Sequence, residues 1–272
     1  MADIIRLHNH ILKPRWEWRP KLNPNHPLSI GLVGLWLFNE TGGLKAYDLS
    51  GKNNHGTLTN DPAWKPGKFG QSLSFDGTND YVKAGYPVIT GTFTVAVWAK
   101  VQDTSARCMV GTRSPIECSF DMKFTSGNLI HADIGTGNGS VWITTAADAS
   151  FSYSINTWYH IVYVVTPTGY TIYANGNQVG SGLYAENTPV FSNADHEIAI
   201  GAYRTLGGEN FYGFIDGVRI YKRALSAKEI RWLYQEPFAG IDVPIFKDYW
   251  PEVAIGGLSI PVAMRHYREM RS

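Results

Sequence analysis

Short runs of β-favouring residues, separated by turn residues, fill the chain from Leu28 to Tyr221. In the run "FTVAVWAKV" the residues alternate strictly, which places Phe93 and Val95 on one strand face and Trp98 on the other. Asn175-Gly176 in "YTIYANGNQVG" predicts a two-residue hairpin, because both central residues of a type I′ turn need positive φ. About a dozen such strands are typical of an all-β sandwich or jelly roll.

One helix is clearly indicated after the last strand. Ser226 and Glu229 have the spacing of a capping box, in which each side chain binds the backbone amide of the other residue. Ile230 and Leu233 then continue an apolar stripe at helical spacing, and Pro237 ends it. The sequence therefore predicts an antiparallel sandwich closed by one short helix.

Composition excludes some classes of function. Charged residues make up 17% of the 272 residues, and the formal net charge is +1. Such a balance gives no field that attracts nucleic acid or an anionic membrane. The longest apolar stretch, "IGLVGLWLF", is too short to span a bilayer, and the first residues show no secretory signal. We therefore expect neither a nucleic-acid partner nor a membrane span.

Two cysteines, Cys108 and Cys118, lie on opposing arms of a hairpin around "GTRSP". A disulfide across this hairpin is geometrically possible. Because no secretory signal and no other cysteine accompany the pair, the sequence favours two buried thiols.

Several stretches, taken in order, are similar to one known family. They are "GLVGLWLFNETGGLKAYDLSGKNNHGTL", "GKFGQSLSFDGTNDYV", "FTVAVWAKV", "NTWYHIVYVV", "YANGNQVG" and "GFIDGVRIYKRALSAKEIRWLY". Together they resemble the concanavalin A-like, laminin G-like jelly-roll domain from Leu28 to Phe238. The resemblance implies a two-sheet antiparallel jelly roll and a carbohydrate- or protein-binding role without catalysis. The flanking "HPLSIGLVG" and "LYQEPF" also resemble virion-associated proteins of tailed bacteriophages.

The resemblance divides the chain into three parts. Residues 1–27 form a proline-interrupted extended arm, residues 28–238 the jelly roll, and residues 239–272 a tail. The tail is too apolar for a solvated linker, and its prolines and Gly256-Gly257 prevent it from building its own core. Extended apolar pieces can add to an exposed sheet edge, so we expect both arms to dock on other protein chains.

The resemblance also implies a structural calcium ion between the loop after the first strand and the last strand. The matching positions are Glu40, Asp48 and Asp216, whose oxygens suit calcium. Two alternatives stay open. Asp216, which interrupts an apolar strand, would instead pair with Arg219 or Arg223 or cap backbone amides, and Asp48 would form only an Asx-turn.

A sugar site needs exposed aromatic side chains beside amide or charged groups. Residues of this kind in predicted loops or edges are Trp142, Tyr203, Arg204, Asn210 and Phe211. The alternative for each is packing in the core or in a hairpin.

A glycosidase of this fold needs paired carboxylates on one strand. The family's catalytic strand carries Glu-x-Asp-x-x-Glu, and this sequence has no such run. Its nearest imitation, Asp195-His-Glu197, stands in a polar loop, where solvated carboxylates are the simpler interpretation. We therefore expect no enzyme activity.

Three functions follow from these observations. The first is a structural or interaction protein on a virion surface, anchored by its arms as a homo-oligomer or to other virion proteins. The alternative is a free, extracellular carbohydrate-binding or adhesin module that recognises cell-surface glycan. The third, a glycoside hydrolase, is disfavoured by the missing catalytic strand.

Overall fold

The computed structural model describes residues 13–85, 87–113, 117–127, 129–192, 197–203, 209–242, 252–255 and 258–261. One α-helix, α1, spans Ala227–Gln235, and two short 3-10 helices span Trp16–Trp18 and Pro27–Ser29. The strands are β1 (Lys21–Leu22), β2 (Leu32–Trp36), β3 (Lys45–Ala46), β4 (Gly56–Thr59), β5 (Ala63–Pro66), β6 (Gln71–Asp76), β7 (Tyr81–Lys83), β8 (Ile89–Thr90), β9 (Phe93–Val101), β10 (Arg107–Gly111), β11 (Phe120–Thr125), β12 (Leu129–Gly135), β13 (Trp142–Ser150), β14 (Tyr159–Thr166), β15 (Gly169–Ala174), β16 (Asn177–Leu183), β17 (Val190–Ser192), β18 (Ala199–Ile200), β19 (Tyr212–Tyr221), β20 (Ile241–Asp242), β21 (Glu252–Ile255) and β22 (Leu258–Pro261).

Two antiparallel sheets form a sandwich, which confirms the predicted jelly-roll fold class. Sheet A has the strand order β13-β12-β11-β10-β18-β7-β4-β3. Sheet B has the order β16-β15-β14-β9-β19-β6-β5, and β2 also pairs with β19. The first long strand, β2, is thus a neighbour of the last long strand, β19.

The central strands of sheet B are buried on both of their faces. Phe93, Val95 and Val97 of β9 point into the core between the sheets. The alternate residue Ala96 belongs to a second apolar cluster, together with Leu233 of α1. The alternation predicted for β9 is therefore confirmed, and α1 covers the side that faces away from sheet A.

The predicted local signals form as expected. Ser226 Oγ accepts a hydrogen bond from the Glu229 amide, and the Glu229 carboxylate accepts one from the Ser226 amide. Asn175 and Gly176 have φ values of 50° and 78°, both positive, and join β15 to β16. Cys108 and Cys118 are buried free thiols, so the thiol interpretation holds.

In each arm, the described residues next to the sandwich pack against it. Strand β1 pairs with β20, and the Asn23 amide donates to the Gly240 carbonyl at 2.8 Å. Trp16 stacks on Tyr47, with ring centroids 4.5 Å apart. Farther along the tail, β21 pairs with β22 as a hairpin. The division into arm, jelly roll and tail stays a prediction, as does docking on other chains.

None of the helices in the described part of the chain is both long and apolar enough to cross a membrane.

The capping box gives a prediction for stability. Ser226→Ala removes the hydroxyl that accepts from the Glu229 amide, so we expect a loss of about 1 kcal/mol in the free energy of unfolding. The matched control is Lys228→Ala, which removes an exposed side chain from the same helix and leaves the cap intact. Equal stability of the two variants in urea denaturation would contradict the prediction.

Candidate ligand-binding site

Strands β11 and β12 carry charged residues on the face of sheet A that points away from the core. Phe120, Met122 and Phe124 of β11 are buried between the sheets. Because side chains alternate along a strand, Asp121 and Lys123 point to the opposite side. The same alternation turns three more charged residues outward on β12 and β13, and two loop residues join them. We call this group the charged face: Arg113, Asp121, Lys123, His131, Asp133, Asp148 and Glu209.

The strand register brings these residues into direct contact. Asp121 lies opposite Asp133, and Lys123 lies opposite His131. His131 in turn lies opposite Asp148 of β13. Directly opposed positions bring side chains within reach of one another, so five charged residues form one continuous network across three strands.

Lys123 is the central cation of the network. Its Nζ lies 3.1 Å from Asp121 Oδ1, 3.2 Å from Asp133 Oδ2 and 2.7 Å from Glu209 Oε2. These carboxylates raise the pKa of Lys123 despite the burial that opposes this shift. The ammonium therefore stays charged and holds the three carboxylates together.

Burial sets the protonation of Asp121. Its side chain is fully buried, and this desolvation raises its pKa to about 6. The Lys123 charge opposes the shift, and the Asp133 charge adds to it. Arg113 supplies a second cation, with Nη1 3.1 Å from Asp121 Oδ2.

His131 bridges two carboxylates at the edge of the network. Its Nδ1 lies 2.5 Å from Asp148 Oδ1, and its Nε2 lies 3.1 Å from Asp133 Oδ1. Burial alone would lower the pKa of His131, but hydrogen bonds and charges from Asp133 and Asp148 raise it above 6.5. The imidazole is thus held in its charged form at mildly acidic pH.

Two of the predicted ligand residues meet at this face. The Arg113 guanidinium lies 4.7 Å from the Trp142 ring centroid and 4.9 Å from that of Tyr203. Both aromatic residues are partly exposed. Cation–π contacts with both rings fix the arginine, and each ring keeps some surface open to solvent.

The other predicted ligand residues do not join them, or are not described. Arg204 lies outside the described residues. The Asn210 side-chain amide donates to the Thr78 carbonyl, and the Asn210 backbone carbonyl accepts from Arg107 at 2.8 Å. Phe211 is fully buried, which is the core-packing alternative that the sequence left open, and its amide donates to the Gly201 carbonyl at 2.8 Å.

The three predicted calcium ligands have other partners. Asp48 accepts hydrogen bonds from the Leu35, Ser50 and Asn54 amides, as a loop-capping residue does. The Glu40 carboxylate accepts from the Tyr47 amide at 2.6 Å.

Asp216 forms its ion pair with Lys13. The two arginine partners are wrong, because the Arg219 side chain donates to the Pro237 carbonyl and Arg223 pairs with Glu229 at 2.7 Å. The predicted cap of a backbone amide is present, because Asp216 Oδ2 accepts from the Phe69 amide at 3.1 Å.

Each of the three carboxylates is thus engaged by groups of the protein itself. Within the described residues, no group of three or more His, Cys, Asp or Glu side chains is arranged to hold a metal ion. The Lys13 ammonium group already pairs with Asp216, so this carboxylate is not free to bind calcium. Calcium bound by these three residues stays a prediction.

The two carboxylates that resemble a catalytic pair in the sequence, Asp195 and Glu197, fall only partly within the described residues. Asp195 lies outside them, and Glu197 forms an ion pair with Lys83.

Sequence reasoning missed most of the charged face. A signal was present, because "SFDMKF" and "LIHADIG" place charged residues at every second position of otherwise apolar strands. Such a pattern indicates a polar outer face, but only the register shows that the charges of different strands pair.

Comparisons with known proteins agree with the fold. A family model described as the concanavalin A-like lectin/glucanases superfamily matches residues 76–231, more than half of the chain. No curated protein sequence matches the chain.

Among solved structures, one similar fold is domain 4 of AbnA, a GH43 extracellular arabinanase from Geobacillus stearothermophilus, in complex with arabinotriose. It has a TM-score of 0.61 at 21% identity, over 75% of this chain and 98% of that chain. The binding domain of Paraclostridial Mosquitocidal Protein 1 has a TM-score of 0.54 at 15% identity, over 78% and 53%. The receptor binding domain of botulinum neurotoxin D has 0.55 at 12%, over 78% and 54%. This chain thus spans about half of each toxin domain, and these identities show likeness of fold alone.

The His131 bridge gives a prediction for pH dependence. Its folded pKa lies above 6.5, so its stabilisation is complete below that pH and is lost as pH rises through the folded pKa. The melting temperature of the unmodified protein should therefore exceed that of His131→Gln by more at about pH 6 than at about pH 8. Asp148→Asn removes one of the two bridged carboxylates, so the stability loss caused by His131→Gln at about pH 6 should be smaller in this background. The prediction is contradicted if the melting temperatures of the unmodified protein and of His131→Gln differ by the same amount at both pH values.

Proposed function

Because the chain belongs to the concanavalin A-like lectin/glucanases superfamily, we propose that it is a non-catalytic module that binds a glycan at the charged face of sheet A. The observation that carries this proposal is the pairing of partly exposed Trp142 and Tyr203 with the charge network through Arg113. Aromatic rings offer flat apolar surface to sugar C–H groups, and fixed charged groups orient hydroxyls.

The outer surfaces of the two sheets support this choice of face. On sheet B, α1 and the described arm residues cover the middle of the outer face with an apolar cluster that includes Leu28, Leu233 and Phe238. On sheet A, the corresponding face carries charged side chains that reach solvent, such as Asp148 and Glu209. A ligand from solution therefore has access to charged groups on sheet A.

The protonation and burial of the carboxylates argue for binding without catalysis. A glycosidase acid must reach the glycosidic oxygen, and its partner carboxylate must reach the sugar or a water. Asp121 has a pKa near 6, in the range of a general acid, but its side chain is fully buried beneath Arg113 and Lys123. Asp133 is held by the same two cations and by His131.

The class of glycan follows from the charge of the face. Its carboxylates (Asp121, Asp133, Asp148 and Glu209) outnumber its permanent cations, Arg113 and Lys123. An acidic sugar would therefore meet repulsion, so a neutral oligosaccharide suits the face better. The similar arabinanase domain, solved in complex with arabinotriose, supports arabino-oligosaccharides as the first probe.

The two aromatic side chains provide a direct test of glycan binding. Trp142→Ala and Tyr203→Ala should each weaken binding by about 1 kcal/mol, about fivefold in Kd, because each removes a stacking surface. The ligand is chosen with a glycan array that includes arabinotriose and acidic sugars, and Kd is then measured by calorimetry.

The matched control is Trp158→Ala, since Trp158 contacts Phe214 and Lys100 of sheet B instead of the charged face. Unchanged affinity in both aromatic variants, or a loss of the same size in Trp158→Ala, would reject this location. Release of sugar from the probe by the unmodified protein would reject a role without catalysis.

We further propose that the module is anchored to an assembly, as a virion component exposed on the particle surface. The apolar tail and the resemblance to phage virion proteins support this proposal. An extracellular adhesin without an assembly is the alternative.

Truncation of the tail distinguishes these two roles. Removing residues 243–272 retains β20, which pairs with β1, so the sandwich should stay folded. We expect light scattering to show an oligomer for the full chain and a folded monomer for the truncated chain. Circular dichroism verifies that both proteins are folded. The same oligomeric state in both folded proteins would contradict anchoring through the tail.

A further inference from the structure

Strand β19 changes partners at Asp216. On one edge, β6 pairs with β19 as far as Ile215, and β2 pairs with it only from Val218 onward. Between these two pairings, Asp216 and Gly217 face a gap in the ladder. We call this gap the seam.

The seam is lined by oxygen atoms. Backbone carbonyls of Phe38, just beyond β2, and of Gln71, at the start of β6, point into it together with Asp216 Oδ1. The second Asp216 oxygen accepts from the Phe69 amide at 3.1 Å. Carboxylate and carbonyl oxygens in this arrangement favour a cation.

The Lys13 side chain fills the seam. Its Nζ donates to the Phe38 carbonyl at 3.3 Å, to the Gln71 carbonyl and to Asp216 Oδ1. An ammonium has three N–H donors, and each of them meets one of these oxygens. The side chains of Lys13 and Asp216 are 3% and 1% exposed, so the pair is sealed from solvent.

A further carboxylate lies near the seam. The Glu40 charge acts on Lys13, and Glu40 Oε2 is buried without a hydrogen-bond partner among the described residues. The segment that carries Lys13 is also fixed next to this loop, because the Asn39 amide group donates to the Pro14 carbonyl at 2.6 Å.

We propose that the seam is a cation site whose occupant is the Lys13 ammonium of the same chain, and that a divalent cation enters only when this side chain is removed. The intramolecular cation ties the N-terminal arm to the junction of β2, β6 and β19. It also supplies the positive charge that a bound metal ion would otherwise provide to Asp216.

The test uses the full-length chain and substitutes Lys13. In Lys13→Met, the seam keeps its oxygens and loses its cation, so the buried Asp216 charge is left unpaired. We expect this variant to melt below the unmodified protein in chelator and to recover part of the difference in calcium chloride. Calorimetry should show one calcium site with a Kd of about 10⁻⁴–10⁻³ M, weak because few carboxylates contribute. The unmodified protein should melt at the same temperature in chelator and in calcium.

Two further variants serve as controls. Lys13→Met with Asp216→Asn removes both charges, so it should melt above Lys13→Met in chelator and show no response to calcium. Lys228→Met makes the same chemical change at an exposed helix position and should leave both melting temperature and calcium response unchanged.

The proposal is overturned by either of two results. One is a calcium-dependent rise in the melting temperature of the unmodified protein that Asp216→Asn abolishes, because a metal would then share the seam with Lys13. The other is a Lys13→Met protein that binds no calcium. If Lys13→Met does not fold, Lys13→Gln replaces it, since its amide can still donate to the two carbonyls; absence of calcium binding by Lys13→Gln overturns the proposal equally.

Discussion

The central strands of sheet B are buried on both faces, and this burial determines where both ends of the chain must run. Sheet A covers one face, but the other face also carries apolar residues, such as Ala96 and Val162. These need a second cover, and the chain supplies it from both of its ends, with Leu28 before β2 and Leu233 after β19. The pairing of β1 with β20 closes this cover. The chain therefore has to continue past the last long strand, at least to β20, to complete the domain.

The sequence signals that the structure confirms each act over a few neighbouring residues. The capping box spans Ser226 to Glu229, the type I′ turn needs only Asn175 and Gly176, and the alternation of β9 is contained in one strand. Each depends on backbone geometry that the residue types themselves favour. The order of such elements sufficed for the fold class, and the resemblance to a known family supported the same architecture.

The sites depend on contacts that no local pattern encodes. Lys13 and Asp216 are 203 positions apart, so the sequence offered two nearer arginines as partners, Arg219 and Arg223, and both were wrong. The charged face required the register of β11, β12 and β13, which is set by core packing on their other side. The sequence left Phe211 open between an exposed position and the core, and its ring lies in the core against Phe75. Contacts between residues far apart in the sequence therefore determined which site predictions were right and which were wrong.

The two charge networks differ in whether a ligand from solution can reach them. At the seam, Lys13 and Asp216 are almost fully enclosed, so their charges cannot serve a ligand from solution and act only within the chain. On the charged face, Asp148 and Glu209 retain about a third of their side-chain exposure, although each pairs with a cation. A ligand there meets groups that are already neutralised and fixed in place, so contact with them costs little desolvation and contributes mainly orientation. The affinity must then come chiefly from apolar contact, so the rings of Trp142 and Tyr203 should contribute most of the binding free energy.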